Sequence, residues 1–220
     1  MTVLGIETST IVCSVGMIAG ERTYHRALRE DRIHSEKLLT LVDDILKEAG
    51  CKVGDLDGVA VARGPGSFTG LRIGVSAAKG LAFAGRGVLV GVPTLEAVAR
   101  GARAAGLFPD GGAVVLDARQ GEWYVGMFDQ EGREERTTVE PHARAVALCL
   151  DKVVMTDRPD AWQGAGSSVH DLHEFIRGDV VALLGHERLR QGRGDDMATF
   201  EPLYLKDFVV RSPRQPFVGN

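Results

Sequence analysis

Residues 3–17, VLGIETSTIVCSVGM, and residues 113–127, AVVLDARQGEWYVGM, decide how the chain is divided. An offset of 110 lays Val15, Gly16 and Met17 on Val125, Gly126 and Met127. It also sets Glu7 over Asp117, each an acid closing a short apolar run. Three identities alone are within reach of chance, but the pattern of elements around them repeats as well. Apolar alternation and turn residues predict strands at 2–8, 11–18 and 21–28, a helix at 34–49, and a strand at 57–62. A helix at 69–84, a strand at 87–92 and a helix at 94–105 follow. The second half reads as strands at 113–119, 122–129 and 133–140, then a helix opened by Pro141. After it come a strand at 152–156, a helix near 168–177, a strand at 179–184 and a short helix at 186–192.

Two such units are similar to the plan of the actin-like ATPase (ribonuclease H-like) fold, an α/β class with βββαβα-type domains in tandem. The second unit is the reduced one. The expected division is 1–106, carrying two unusual helices, and 107–220, whose last residues are expected to pack back on the first domain. That resemblance implies phosphate contact at the turns after the first strand of each unit. In the first turn, Glu7, Thr8 and Ser9 supply hydroxyls and free amides suited to an anion. The second places Arg119 and Gln120 after Asp117, where close approach wants bare backbone. A cleft weakened for ATP is the expectation.

Composition narrows the class. Lys plus Arg number 26 against 30 Asp plus Glu, a net charge of −4. With its cations dispersed, the chain is not expected to bind nucleic acid tightly by itself, because such affinity rests on clustered cations. Cys13, Cys51 and Cys149 form no CxxC pair, so neither a disulfide framework nor a zinc site is suggested. No apolar run approaches the roughly 18 residues that cross a bilayer. Residues 1–10 lack an export pattern, so a cytoplasmic location is expected.

RGPGSFTGLRIG, residues 63–74, packs four glycines between two apolar runs. A P-loop needs Lys after its last glycine, and Gly70 precedes Leu71; a dinucleotide fingerprint meets Thr69 where its third glycine belongs. The stretch reads first as a helix corner, with Ser67 or Thr69 as N-cap and Gly64, Pro65 and Gly66 making the turn. An anion site at the helix start is the weaker alternative. The helix that follows is apolar over most of its circumference and rich in small residues. The helix at 34–49 carries a stripe about 160° wide, against the roughly 100° one core contact needs. Both are expected to be covered twice, by the sheet and by a partner, through His34, Leu38, Leu41, Val42, Ile45, Leu71, Gly74, Val75, Ala78 and Leu81. A helix bundle made two from each side, an isologous dimer in its simplest form, would do this. Burial within one chain is the competing reading.

GIETST, HSEKLL, GVAVARGPGSFTGLRIGVSAAKGLA, VPTLEAVA, DARQGEWYVGMF and the late PLYLK, in that order, resemble the TsaB (YeaZ) family over nearly the whole chain. The resemblance implies participation in making threonylcarbamoyladenosine (t6A) in tRNA without being the catalyst. It implies pairing with a TsaD-like transferase through the first two helices, a TsaE-like ATPase as a further partner, and a homodimer when alone. tRNA would be met only through the complex, with no membrane contact. No cofactor of its own is expected, beyond weak ATP or ADP binding at a subunit junction. Glu7 departs from the Asp more usual in the family, while TsaD has Glu there.

Residue by residue, the paralogue's chemistry is missing. A HxxxH helix puts two imidazoles on one metal, but His34 is followed four residues on by Leu38. His34 is therefore expected to start a helix, and no metal is expected at His170 and His173. Gly164 and Gly166, in GAGSS, read as a remnant of an adenosine loop or equally as turn chemistry. The alternatives to an assembly subunit are an actin-fold ATPase or kinase and a metal-dependent glycopeptidase-like hydrolase.

Overall fold

A computed structural model describes residues 1–30, 33–165 and 168–206. It contains two mixed sheets of five strands. The first is built from β1 (Thr2–Glu7), β2 (Val12–Ala19), β3 (Arg22–Arg29), β4 (Gly58–Gly64) and β5 (Val88–Pro93), in the order β3-β2-β1-β4-β5. The second contains β6 (Gly112–Asp117), β7 (Glu122–Phe128), β8 (Glu134–Pro141), β9 (Val153–Thr156) and β10 (Ser168–Asp171), in the order β10-β9-β6-β7-β8. Read from the third strand of each unit, the two orders are the same. Each sheet has an antiparallel hairpin pair on one side of its first strand and parallel neighbours on the other.

The repeat lies in this topology and not in the VGM identity. Glu7 pairs with Ser14, whereas Asp117 pairs with Trp123. With the two acids equivalent, Gly16 corresponds to Val125, and the triplets are one residue out of register. The cause is the first connection, residues 8–13, which is one residue longer than the second, residues 118–122.

Helices α1 (His34–Ala49) and α2 (Phe68–Gly85) cover one face of the first sheet, packing Leu38, Val42, Ile45, Val75, Ala78 and Ala82 against Leu4, Ile6, Val59 and Val61. Ser67 caps α2, accepting a bond from the Gly70 amide at 3.3 Å. Helix α3 (Thr94–Ala104) lies between the two sheets, where Leu95, Val98 and Ala102 join Val114, Leu116, Phe128 and Met155 in a core common to both lobes. The second lobe is reduced, as expected: α4 (His142–Leu148) is short, and among the described residues between β9 and β10 a 3-10 turn (Pro159–Trp162) is the only helical element.

Two assignments in the second half are corrected. Residues 168–171 form strand β10, followed by a 3-10 turn (Leu172–Phe175), where a helix was expected. Residues 179–184, expected as a strand, belong to α5 (Gly178–Arg190), which also absorbs the short helix at 186–192. A five-residue apolar run, VVALL after Asp179, satisfies a strand and a buried helix alike, and tertiary contact decides. Here the decision comes from glycines in the first sheet. A Cβ on Gly5 would lie 2.1 Å from the Gly178 carbonyl oxygen, and one on Gly16 would lie 2.1 Å from the Asp179 nitrogen. On the helix side, a Cβ added at Gly178 would stand 2.5 Å from the Gly16 nitrogen. Helix α5 thus lies in a groove of bare backbone, its N-terminal amide donating to Ser14 Oγ at 2.9 Å. Residues 178–203 follow the second sheet in the chain and pack on the first.

Candidate functional site

The turn after β1 grips the glycine stretch. Thr8 Oγ1 donates to the Gly70 carbonyl at 2.8 Å, and the Ser67 amide donates to the Ser9 carbonyl at 2.7 Å. A Cβ on Gly66, Gly70 or Gly74 would meet the Ser9 carbonyl at 2.5 Å, the Thr8 carbonyl at 2.1 Å or Thr8 Oγ1 at 2.2 Å. These three glycines therefore admit the chain's own β1 turn, and the helix-corner reading describes the stretch. Glu7 is sealed beneath this contact: Oε1 accepts the Ser9 amide at 2.7 Å, and Oε2 is buried without a partner. Burial pushes its carboxyl up to about 7, against bonds from Ser9 and Thr8 that pull the other way.

The opposing wall is the β6–β7 turn. Asp117 closes β6, its carboxylate accepting the Arg119 amide at 2.8 Å and pairing with Arg158 at 3.2 Å and Arg119 at 3.5 Å. Asp157 accepts the Asp117 amide at 3.1 Å, and burial raises its carboxyl above the usual carboxylate range. Arg119 and Gln120 hold φ of 65° and 60°, ahead of Gly121 at 79°. Left-handed backbone at two consecutive non-glycine residues is unfavourable and fills the place where a bare turn would approach a ligand.

Between these walls lies a cavity of about 890 Å³. Ser9, Asp117 and Arg119 line it together, joined by His34 and Leu71. Glu7 and Thr8 do not line it, because both are wholly buried behind Ser9. Gly164 lies outside the cavity wall in a turn with φ of 79°, which is turn chemistry; Gly166 lies outside the described residues. Sequence reading missed Phe68, Asp157, His173, Tyr204 and Lys206 in this wall. Of these, Phe68, Tyr204 and Lys206 lie in quoted motifs, GPGSFTG and PLYLK, and His173 was considered only for a metal. His173 Nδ1 lies 2.5 Å from Asp171, and His170 sits on β10, so the two histidines are not on one helix. Among the described residues no three His, Cys, Asp or Glu side chains gather as a metal would require. No described helix is long and apolar enough to cross a membrane.

The helix faces need a correction. His34, Leu38, Leu41, Val42, Ile45, Leu71, Gly74, Val75 and Ala78, expected to meet a partner, are buried within this chain, and only Leu81 is half-exposed. Leu38, Leu41, Val42, Ile45, Val75 and Ala78 share one core with Leu4 and Ile6 of β1, and Gly74 lies against Thr8. His34 starts α1 as expected, its Nε2 donating to the Val12 carbonyl at 3.2 Å. What faces outward is a second row: Leu39, 61 % exposed, on α1, and Thr69, Arg72, Ser76, Gly80 and Phe83 on α2, the last 79 % exposed. A Cβ on Gly80 would meet nothing within 4 Å.

Residues 29–163 match the family model described as TsaD, tRNA N6-adenosine threonylcarbamoyltransferase. The tRNA threonylcarbamoyladenosine biosynthesis protein TsaB of Escherichia coli (strain K12) is 34 % identical over 96 % of this chain and 96 % of its own length. The chain belongs to the TsaB family. YeaZ from Pseudomonas aeruginosa superposes with a TM-score of 0.79 at 28 % identity, over 93 % of this chain and all of that one. A second structure from that organism, described as similar to peptidase YeaZ, reaches 0.81 over 93 % and 99 %. The fold is the actin-like ATPase fold, with each lobe's five strands in the shared order described above.

Proposed function

We propose that this TsaB-family chain serves t6A biosynthesis in the cytoplasm as a non-catalytic subunit, pairing with a TsaD-like transferase and, through that complex, with a TsaE-like ATPase and tRNA. The observation that carries the reading is the outward row of α2. Thr69, Ser76 and Gly80 are small residues along this row, which also carries Arg72 and Phe83 and has the exposed Leu39 of α1 beside it. Small side chains let a second helix approach closely, and large apolar ones repay the contact. When the transferase is absent, a second copy of the chain takes the same surface. The cleft supports an assembly role over turnover: Glu7 is shut away from the cavity, and Asp117 is held by two guanidinium groups. ATP or ADP binding belongs to the junction with the partner and is weak.

An actin-fold ATPase or kinase, or a glycopeptidase-like hydrolase, predicts turnover by the isolated chain. Threonylcarbamoyl transfer to tRNA is therefore assayed with the transferase alone, the chain alone and the two together, each with the TsaE-like ATPase. Activity that needs both proteins, with none from the chain alone, supports the proposal. Activity from the chain alone overturns it.

A further inference from the structure

The cleft has a wall that belongs to neither sheet. The Asp195 amide donates to the Leu89 carbonyl at 2.8 Å, and its carboxylate accepts the Gly91 amide at 2.8 Å. Phe200 is buried over Gly91, where a Cβ would stand 2.5 Å from its ring. The Leu203 amide donates to the Arg63 carbonyl at 2.6 Å. Its own carbonyl oxygen would lie 2.7 Å from a Cβ on Gly64, whose φ is 119°. Tyr204 stacks 5.3 Å from Phe68, and its hydroxyl accepts from Arg72 Nε at 3.2 Å. Up to this point every partner belongs to the first lobe. Two residues later the chain reaches the second: Lys206 Nζ donates to the carbonyls of Ala118 at 3.3 Å and Arg119 at 3.4 Å, and pairs with Glu122 at 2.5 Å.

We infer that residues 200–206 are a latch across the cleft mouth, holding the first turn of α2 through Tyr204 and the β6–β7 turn through Lys206, so that the two walls move together. Only Leu205 separates the two gripping residues, a backbone span of about 7 Å when extended. The turn held by Lys206 is the one with Arg119 and Gln120 in left-handed backbone, and an ammonium on the flanking carbonyls stabilises that conformation. The common core around α3 joins the sheets but includes none of residues 63–71 or 118–122. Those two segments are tied to each other across the mouth by the latch.

Hydrogen exchange of the full-length chain, followed by mass spectrometry, tests this. Lys206→Met keeps the aliphatic stem and removes the ammonium; exchange of the 118–122 amides is expected to quicken about tenfold, with Lys206→Arg restoring it. Tyr204→Ala alters only the first-lobe grip, yet is expected to quicken the same amides by roughly threefold. Unchanged exchange at 118–122 in Lys206→Met overturns the latch. So does a Tyr204→Ala effect confined to residues 66–72, or an equal rise across both sheets in both variants.

Discussion

Gly16 on β2 and Gly178 at the start of α5 meet backbone to backbone, with room for a Cβ on neither. Helix α5 can reach the first sheet only because both positions are bare. Gly16→Ala should therefore cost roughly 3 kcal/mol or more in chemical denaturation, since the atoms it strikes are backbone and have no rotamer to yield. Gly80→Ala is the control: its Cβ meets open space, and a better helix former there should stabilise α2 by about 1 kcal/mol.

Glu7 sets a pH dependence. Its folded-state carboxyl titrates near 7 against an ordinary 4.5, so the folded chain binds the extra proton between those values. Stability from this residue is complete below about pH 4.5 and falls as pH rises towards 7, by about 3 kcal/mol in all. Glu7→Gln should remove that slope and leave the variant more stable than the parent at pH 8. Thermal melts of both proteins from pH 4.5 to 8 read the difference; parallel curves would contradict it.

The strained turn should be relieved by glycine. Gln120→Gly, at φ of 60°, is expected to raise stability by about 1 kcal/mol, a melting shift of about 2–4 °C for a chain of this size. Arg119→Ala would keep the strain and give no such gain.

Much of the first lobe was legible in the sequence, because each of its elements has one dominant period and a clear punctuation. Helix α1 starts at His34 and ends at Ala49 before a left-handed Gly50, as its pattern predicts. The run DVVALL misled because its partner groove is made of Gly5 and Gly16, distant residues that carry no local signal. The VGM identity pointed to a true repeat through residues that do not superpose. At the site, Ser9, Asp117 and Arg119 could be placed from their turns. The sealing of Glu7 and the crossing by Lys206 depend on which turn presses on which glycine, a tertiary fact. The width of the helix stripes was real, but it matched the chain's own β-sheet, so the partner surface proposed above is the outward row at Leu39, Ser76, Gly80 and Phe83.

That relocation separates two kinds of variant. Gly74→Arg drives a side chain into Thr8 Oγ1 and should unfold the lobe, whereas Ser76→Arg, on the exposed face two residues on, should leave stability within about 0.5 kcal/mol.

Sedimentation of the chain mixed with the TsaD-like transferase, as parent and as Ser76→Arg, tests the central claim most directly. The parent is expected to sediment as a complex with the transferase, and the folded variant as separate subunits. A parent that never joins the transferase, or a Ser76→Arg chain that joins it as tightly as the parent, would contradict the account.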